Sequence, residues 1–111
     1  AAVAGGITSV FEMPNTNPPT SNKVEFSKKL KLAENRMYCN YAFYFGATSD
    51  NQKELSDLKD LEGCCGIKLF AGSSTGDLLV QHEKDIEKVF QNSSKIVSVH
   101  SEDEEILNMR K

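Results

Sequence analysis

The sequence predicts an α/β fold made of about four parallel βα units. Three observations carry this. Strand-like and helix-like segments alternate along the chain, with strands opening near residues 7, 37, 65 and 95. Crossovers long enough to hold a helix are the pattern of βαβ units and a parallel sheet. The strand segments are near-continuous apolar runs, as expected where a parallel sheet is covered on both faces. Turn-forming residues separate the elements, as in NTNPPTSN (15–22) and GSSTG (72–76).

AAVAGG (1–6) reads as the end of a helix, with Gly5 and Gly6 as its stop. ITSVFEM (7–13) is a strand rich in β-branched residues. Residues 22–36 carry a helical pattern: Asn22 and Glu25 resemble a capping box, while Phe26, Leu30 and Ala33 share a face. Lys28, Lys29 and Lys31 read as the solvated side of that helix. MYCNYAFYFGA (37–47) is the second strand. Asp50 to Leu61 is the second helix, with Leu55, Leu58 and Leu61 on one stripe. CGIKLFA (65–71) is the third strand, and Glu83 to Phe90 the third helix, with Ile86, Val89 and Phe90 facing inward. KIVSVHS (95–101) is the fourth strand. From Glu102 a fourth helix begins with an acidic first turn, which suits the positive end of a helix dipole.

Two architectures fit this rhythm: a small flavodoxin-like sheet, or about half of a (β/α)8 TIM barrel, which takes roughly 250 residues. The chain opens without methionine and closes on Asn108-Met109-Arg110-Lys111 inside a helical pattern. The expectation is therefore a piece of a longer polypeptide, residues 1–111 forming the central part of a barrel domain with no second domain.

The 111 residues are 39% hydrophobic and 26% charged, an ordinary balance for a globular domain rather than a disordered chain. A net charge of −3 without a clustered basic face argues against nucleic acid as a partner. No apolar run approaches the ~20 residues of a membrane span, and no signal-peptide pattern is present. Cys39, Cys64 and Cys65 make an odd count without a C-x-x-C pair, which suggests free thiols in a reducing cytoplasm. As small buried hydrophobes they need no further role.

The polar residues that could do chemistry are Asn15, just after the first strand, Lys68, late in the third, and His100, at the end of the fourth. All fall on the C-terminal side of parallel strands, the face where ligands bind in barrels and doubly wound sheets alike. Lys68 stands inside the apolar run GIKLF, where an unpartnered ammonium is costly. It either snorkels to the rim of the sheet or is no longer a cation. Alone, His100 reads as a hydrogen-bonded structural histidine, and His82 as a surface residue opening a helix. GSSTG lacks both the P-loop lysine and the G-x-G-x-x-G spacing, so it reads as a loop beside the site.

Taken in order and spacing, AAVAGGITSVFEMPNTNPPT, GIKLFAGSSTGDLLV and VSVHSEDEE resemble dihydroorotase of the amidohydrolase superfamily, over essentially the whole chain and over about the second to fifth strand–helix units of that barrel. The resemblance implies reversible cyclisation of N-carbamoyl-L-aspartate to L-dihydroorotate in pyrimidine biosynthesis. It implies two zinc ions bridged by Lys68 as N6-carboxylysine, with His100 as a zinc-binding imidazole and Asn15 on the substrate carboxylate. An apolar setting suits carboxylation, because lowering the lysine pKa leaves the neutral amine that attacks CO2. Self-association, or association with other pyrimidine-pathway enzymes, completes the implied partners, in the cytoplasm.

The resemblance also implies residues this chain does not hold: a His-x-His pair, a further histidine, a catalytic aspartate and a substrate-binding arginine. No catalytic residue is therefore assigned within it, and the isolated chain is expected to be inactive. A catalytically dead dihydroorotase-like scaffold, a related cyclic amidase such as dihydropyrimidinase or allantoinase, and a flavodoxin-like binding module stay open.

Overall fold

The computed structural model describes residues 1–72, 74 and 76–110. Its elements run β1 (Ser9–Glu12), α1 (Lys23–Ala33), β2 (Asn40–Gly46), α2 (Gln52–Ser56), β3 (Cys64–Phe70), α3 (Glu83–Asn92), β4 (Val97–His100) and α4 (Glu104–Met109). Short 3-10 turns cover Val3–Gly5 and Gly76–Leu78. The loop predicted at GSSTG falls partly on Ser73 and Thr75, which lie outside the described residues.

The strands form one parallel sheet in the order β1-β2-β3-β4. That order decides between the two architectures. A flavodoxin-like sheet reverses direction at a switch point and carries helices on both faces. Here each strand lies beside its predecessor, and the packed core lies on one face only. Phe43 and Phe45 of β2 and Ile67 and Leu69 of β3 meet Phe26 and Ala33 of α1, Leu55 of α2 and Val89 of α3. Because side chains alternate along a strand, Tyr44, Gly46, Gly66, Lys68, Phe70, Ser98 and His100 take the opposite face. The fold is a partial (β/α)8 TIM barrel whose inner face carries the candidate chemistry.

Local signals account for much of this. Asn22 caps α1, its side-chain oxygen accepting the Glu25 N–H at 2.9 Å. The apolar face of α1 then presents Phe26, fully buried against the Phe43 and Phe45 rings. Between Phe43↔Cys64 and Tyr44↔Gly66 the β2–β3 register slips by one residue, Cys65.

Several expectations need correcting. AAVAGG forms a 3-10 turn, closed by Gly6 at φ 83. β1 begins at Ser9 and β2 at Asn40, leaving Tyr38 exposed. α2 ends at Ser56, although Leu58 stays fully buried with its N–H donated to Ser94 Oγ at 3.2 Å. Phe90 points outward, 51% exposed, because Val89 takes the core-facing position of α3. Lys29 is not part of a solvated face: its side chain is 13% exposed and its ammonium lies 3.3 Å from the Glu12 carboxylate.

β1 and β4 are the sheet's edges, and Ile7, Phe11, Ile96 and Val99 stand exposed on or beside them. Open parallel edges with apolar neighbours invite pairing with another chain. The isolated 111-residue chain is therefore expected to self-associate on size-exclusion chromatography. A monomer with a cooperative melting transition would contradict this.

Candidate functional site

Lys68 lies near the end of β3, paired in register with Gly46 of β2 on one side and Ser98 of β4 on the other. It is half-buried, and its ammonium sits 5.1 Å from the centroid of the Phe70 ring. Among the described residues no carboxylate pairs with it. Loss of water at this position pushes its pKa below the ordinary lysine value. The sequence thus placed a cation where the structure supplies an aromatic face in place of a counter-ion.

His100 pairs with Phe70 across β3 and β4, one diagonal step from Lys68 on the same face. Its ring stacks on Phe70, with centroids 6.1 Å apart and planes 29° from parallel. Nε2 lies 3.4 Å from a Glu102 carboxylate oxygen. Phe70 therefore touches both residues on the inner face of the sheet, opposite the helix-covered core. Sequence reasoning missed it, although strand alternation in GIKLF puts Lys68 and Phe70 on one face. Beneath them, the Ser98 hydroxyl donates to the Tyr44 hydroxyl at 3.2 Å. This bridge passes over Gly66, where a Cβ would come within 3.1 Å of the Tyr44 ring and 2.9 Å of the Ile96 carbonyl.

Asn15 stands two strands away, exposed in the loop that leaves β1. The loop reaches the site through Pro14, which is buried against Gly46, the register partner of Lys68. A Cβ on Gly46 would lie 2.8 Å from Leu78 Cδ2 and 3.2 Å from Pro14 Cβ. Gly46→Ala is expected to displace the Pro14 loop and destabilise the fold by about 1–3 kcal/mol, the usual cost of overpacking. Chemical denaturation of the complete protein would measure it, and an unchanged midpoint would show that the loop yields freely. Asn51 holds the same corner from below. Its amide donates to the Ser21 and Gly46 carbonyls, each at 2.8 Å.

No protein-family model matches the chain. Dihydroorotase of Thermococcus kodakarensis is 36% identical over 110 residues, which cover 96% of this chain and 24% of that protein. L-hydantoinase of Paenarthrobacter aurescens is 32% identical over 111 residues, with 96% and 24% covered. The solved structure of L-hydantoinase (dihydropyrimidinase) from Arthrobacter aurescens superposes with a TM-score of 0.86 at 30% identity, over 97% of this chain and 25% of that one. The chain belongs to the amidohydrolase superfamily. It spans about a quarter of the length of these relatives.

In an amidohydrolase barrel the two candidate ligands fit a metal in part. Lys68 offers a half-buried amine of lowered pKa on the inner face, which carboxylation would turn into an anionic oxygen donor. His100 offers an imidazole whose Nε2 already faces a carboxylate, the partner that commonly orients a ligating histidine. Among the described residues there is no cluster of three or more His, Cys, Asp and Glu able to hold an ion. By themselves these two residues would supply only part of a ligand set. His82 lies exposed at the start of α3, as a surface residue should.

Proposed function

We propose that this chain contributes four βα units to a dihydroorotase, a zinc-dependent cyclic amidase that interconverts N-carbamoyl-L-aspartate and L-dihydroorotate in pyrimidine biosynthesis. The observation that carries this is the shared inner face of Lys68 and His100 at the C-terminal ends of β3 and β4, with the Asn15 loop packed onto the neighbouring end of β2.

In this reading the neutral Lys68 amine adds to CO2. A C–N bond forms and one proton leaves to solvent, so that an ammonium site becomes a carbamate anion. The carbamate would add an anionic oxygen donor to the inner face that already carries the His100 imidazole, and the two together would hold part of a metal's ligand set. When bound, a zinc pair supplies Lewis acidity at the ring amide and lowers the pKa of water. Phe70 walls the site and limits water around both ligands. Asn15 donates to the substrate carboxylate through its side-chain amide. No residue of this chain is assigned as the general base, which a further part of the barrel supplies. The three free thiols fit a cytoplasmic setting.

The test uses the complete protein. Metal analysis is expected to give two zinc ions per barrel, and intact mass under gentle conditions the mass of one CO2 on Lys68, lost on acidification. Assays with N-carbamoyl-L-aspartate, hydantoins, dihydrouracil and allantoin then separate the cyclic amidases, with activity expected on the first. Turnover confined to another ring would move the assignment to that amidase. A barrel without zinc or turnover would make it a scaffold.

A further inference from the structure

We infer that Thr20 is a positioning residue for Asn15, acting through a hydroxyl chain that closes the loop between β1 and α1. Thr20 is the one buried polar side chain among the described residues, 1% exposed. Its N–H donates to the Pro14 carbonyl at 2.9 Å, and its own carbonyl accepts the Gly46 N–H at 2.8 Å. Its hydroxyl lies 3.1 Å from the Thr16 hydroxyl. Thr16 in turn donates to the Pro18 carbonyl at 2.8 Å, so the proton between the two threonines belongs to Thr20.

The consequence falls on Asn15. Its preceding neighbour, Pro14, is buried on Gly46, and the Pro14 carbonyl receives both the Thr16 and Thr20 N–H groups, at 2.8 and 2.9 Å. Its following neighbour, Thr16, is held by the hydroxyl chain. Asn15 is thus an exposed residue between two clamped ones, so its backbone and the direction in which its side chain leaves the loop are set without contacts of its own. A residue ordered before the substrate arrives loses less entropy on binding. Thr20 touches neither substrate nor metal; it sets where the Asn15 side chain leaves the loop. This inference rests on the assignment of Asn15 to the substrate carboxylate.

The experiment compares Thr20→Val, Thr20→Ser and Thr16→Val in the complete, zinc-loaded protein, with two readouts. Amide hydrogen exchange over residues 13–21 reads the loop without substrate. Thr20→Val is expected to speed that exchange at unchanged zinc content, and Thr20→Ser to restore it. The KM for N-carbamoyl-L-aspartate is expected to rise roughly three- to tenfold in Thr20→Val, the scale of one neutral hydrogen bond, with kcat changed less than about twofold. In an Asn15→Ala background Thr20→Val should add nothing further to KM. Thr16→Val breaks the same link from its more accessible side, and should reproduce the pattern if Thr20→Val melts early.

Unchanged exchange in both valine variants would overturn the proposal. So would a KM rise that persists at full size without the Asn15 amide. If Asn15→Ala itself left KM unchanged while exchange quickened, the substrate assignment would fail and the loop-ordering role would stand.

Discussion

Lys68→Ala in the complete protein is expected to lose zinc and turnover together. Two dications in a bridged site stand about 3.5–4 Å apart, and the bridging anion offsets their repulsion. If Lys68 is the proposed carbamate, alanine would remove that anion and leave the repulsion intact, so metal loss would come first and the fall in kcat would follow. Folding should change little. Lys68 is half-buried, and its visible contact is the Phe70 ring at 5.1 Å, worth about 0.5–1 kcal/mol at such a site. Removing a cation held in an apolar setting relieves a desolvation cost of opposite sign, the one that lowers its pKa. A short carboxylic acid in solution should restore part of the turnover by filling the vacated bridge, which no merely structural role for Lys68 would produce. Metal analysis, kinetics and calorimetry on one preparation decide the matter. Two retained zinc ions and near-normal turnover would return Lys68 to a lysine lying over an aromatic face.

How much of this was legible in the sequence depended on how local the cause was. The Asn22 cap follows from two residues three apart, and the structure makes it. The faces of β3 follow from alternation, which puts Lys68 and Phe70 together. Non-local causes were not readable. Lys28 and Lys29 are adjacent and chemically identical. Lys28 stays exposed beside Glu25, whereas Lys29 turns under the sheet edge to Glu12, the Met13 carbonyl and the Phe43 ring. Only the packing of α1 on β1 and β2 decides between them. Leu58 carries a helical spacing but lies beyond α2, its N–H taken by Ser94 from the far side of α3. Phe90 shares an arc with Ile86 and Val89, and the shape of the core selected Val89.

The site divides in the same way. Asn15, Lys68 and His100 could be singled out as candidates because residue type, motif and strand-end position agreed. Tyr44, Ser98 and Thr20 were missed because each matters through a partner on another segment or another turn of the loop, whereas Phe70 and Glu102 each stand two residues from a candidate, Lys68 and His100. Phe70 and Glu102 thus carried a local signal, and the other three did not.

Asn15→Ala is expected to behave differently from Lys68→Ala, raising KM while leaving metal and kcat largely in place. The side chain is exposed in a loop whose neighbours are held by backbone bonds to Pro14 and Gly46, so its removal disturbs neither the loop nor the inner face of the sheet. What disappears is one hydrogen bond to a charged substrate group, worth on the order of 1.5–3 kcal/mol, or roughly ten- to 150-fold in KM. An interaction made equally in the ground and transition states acts on KM alone. A remote carboxylate contact belongs to that class unless it also sets the angle at which the reacting ring meets the metals. The kinetic split tests this directly. If kcat fell with KM unchanged, Asn15 would be orienting the reacting carbonyl rather than anchoring the substrate, and zinc content unchanged from wild type would keep that result from being read as metal loss. If neither constant moved, the MPNT loop would be a structural cover for the end of β2, and the contact to the substrate carboxylate would have to come from another part of the barrel.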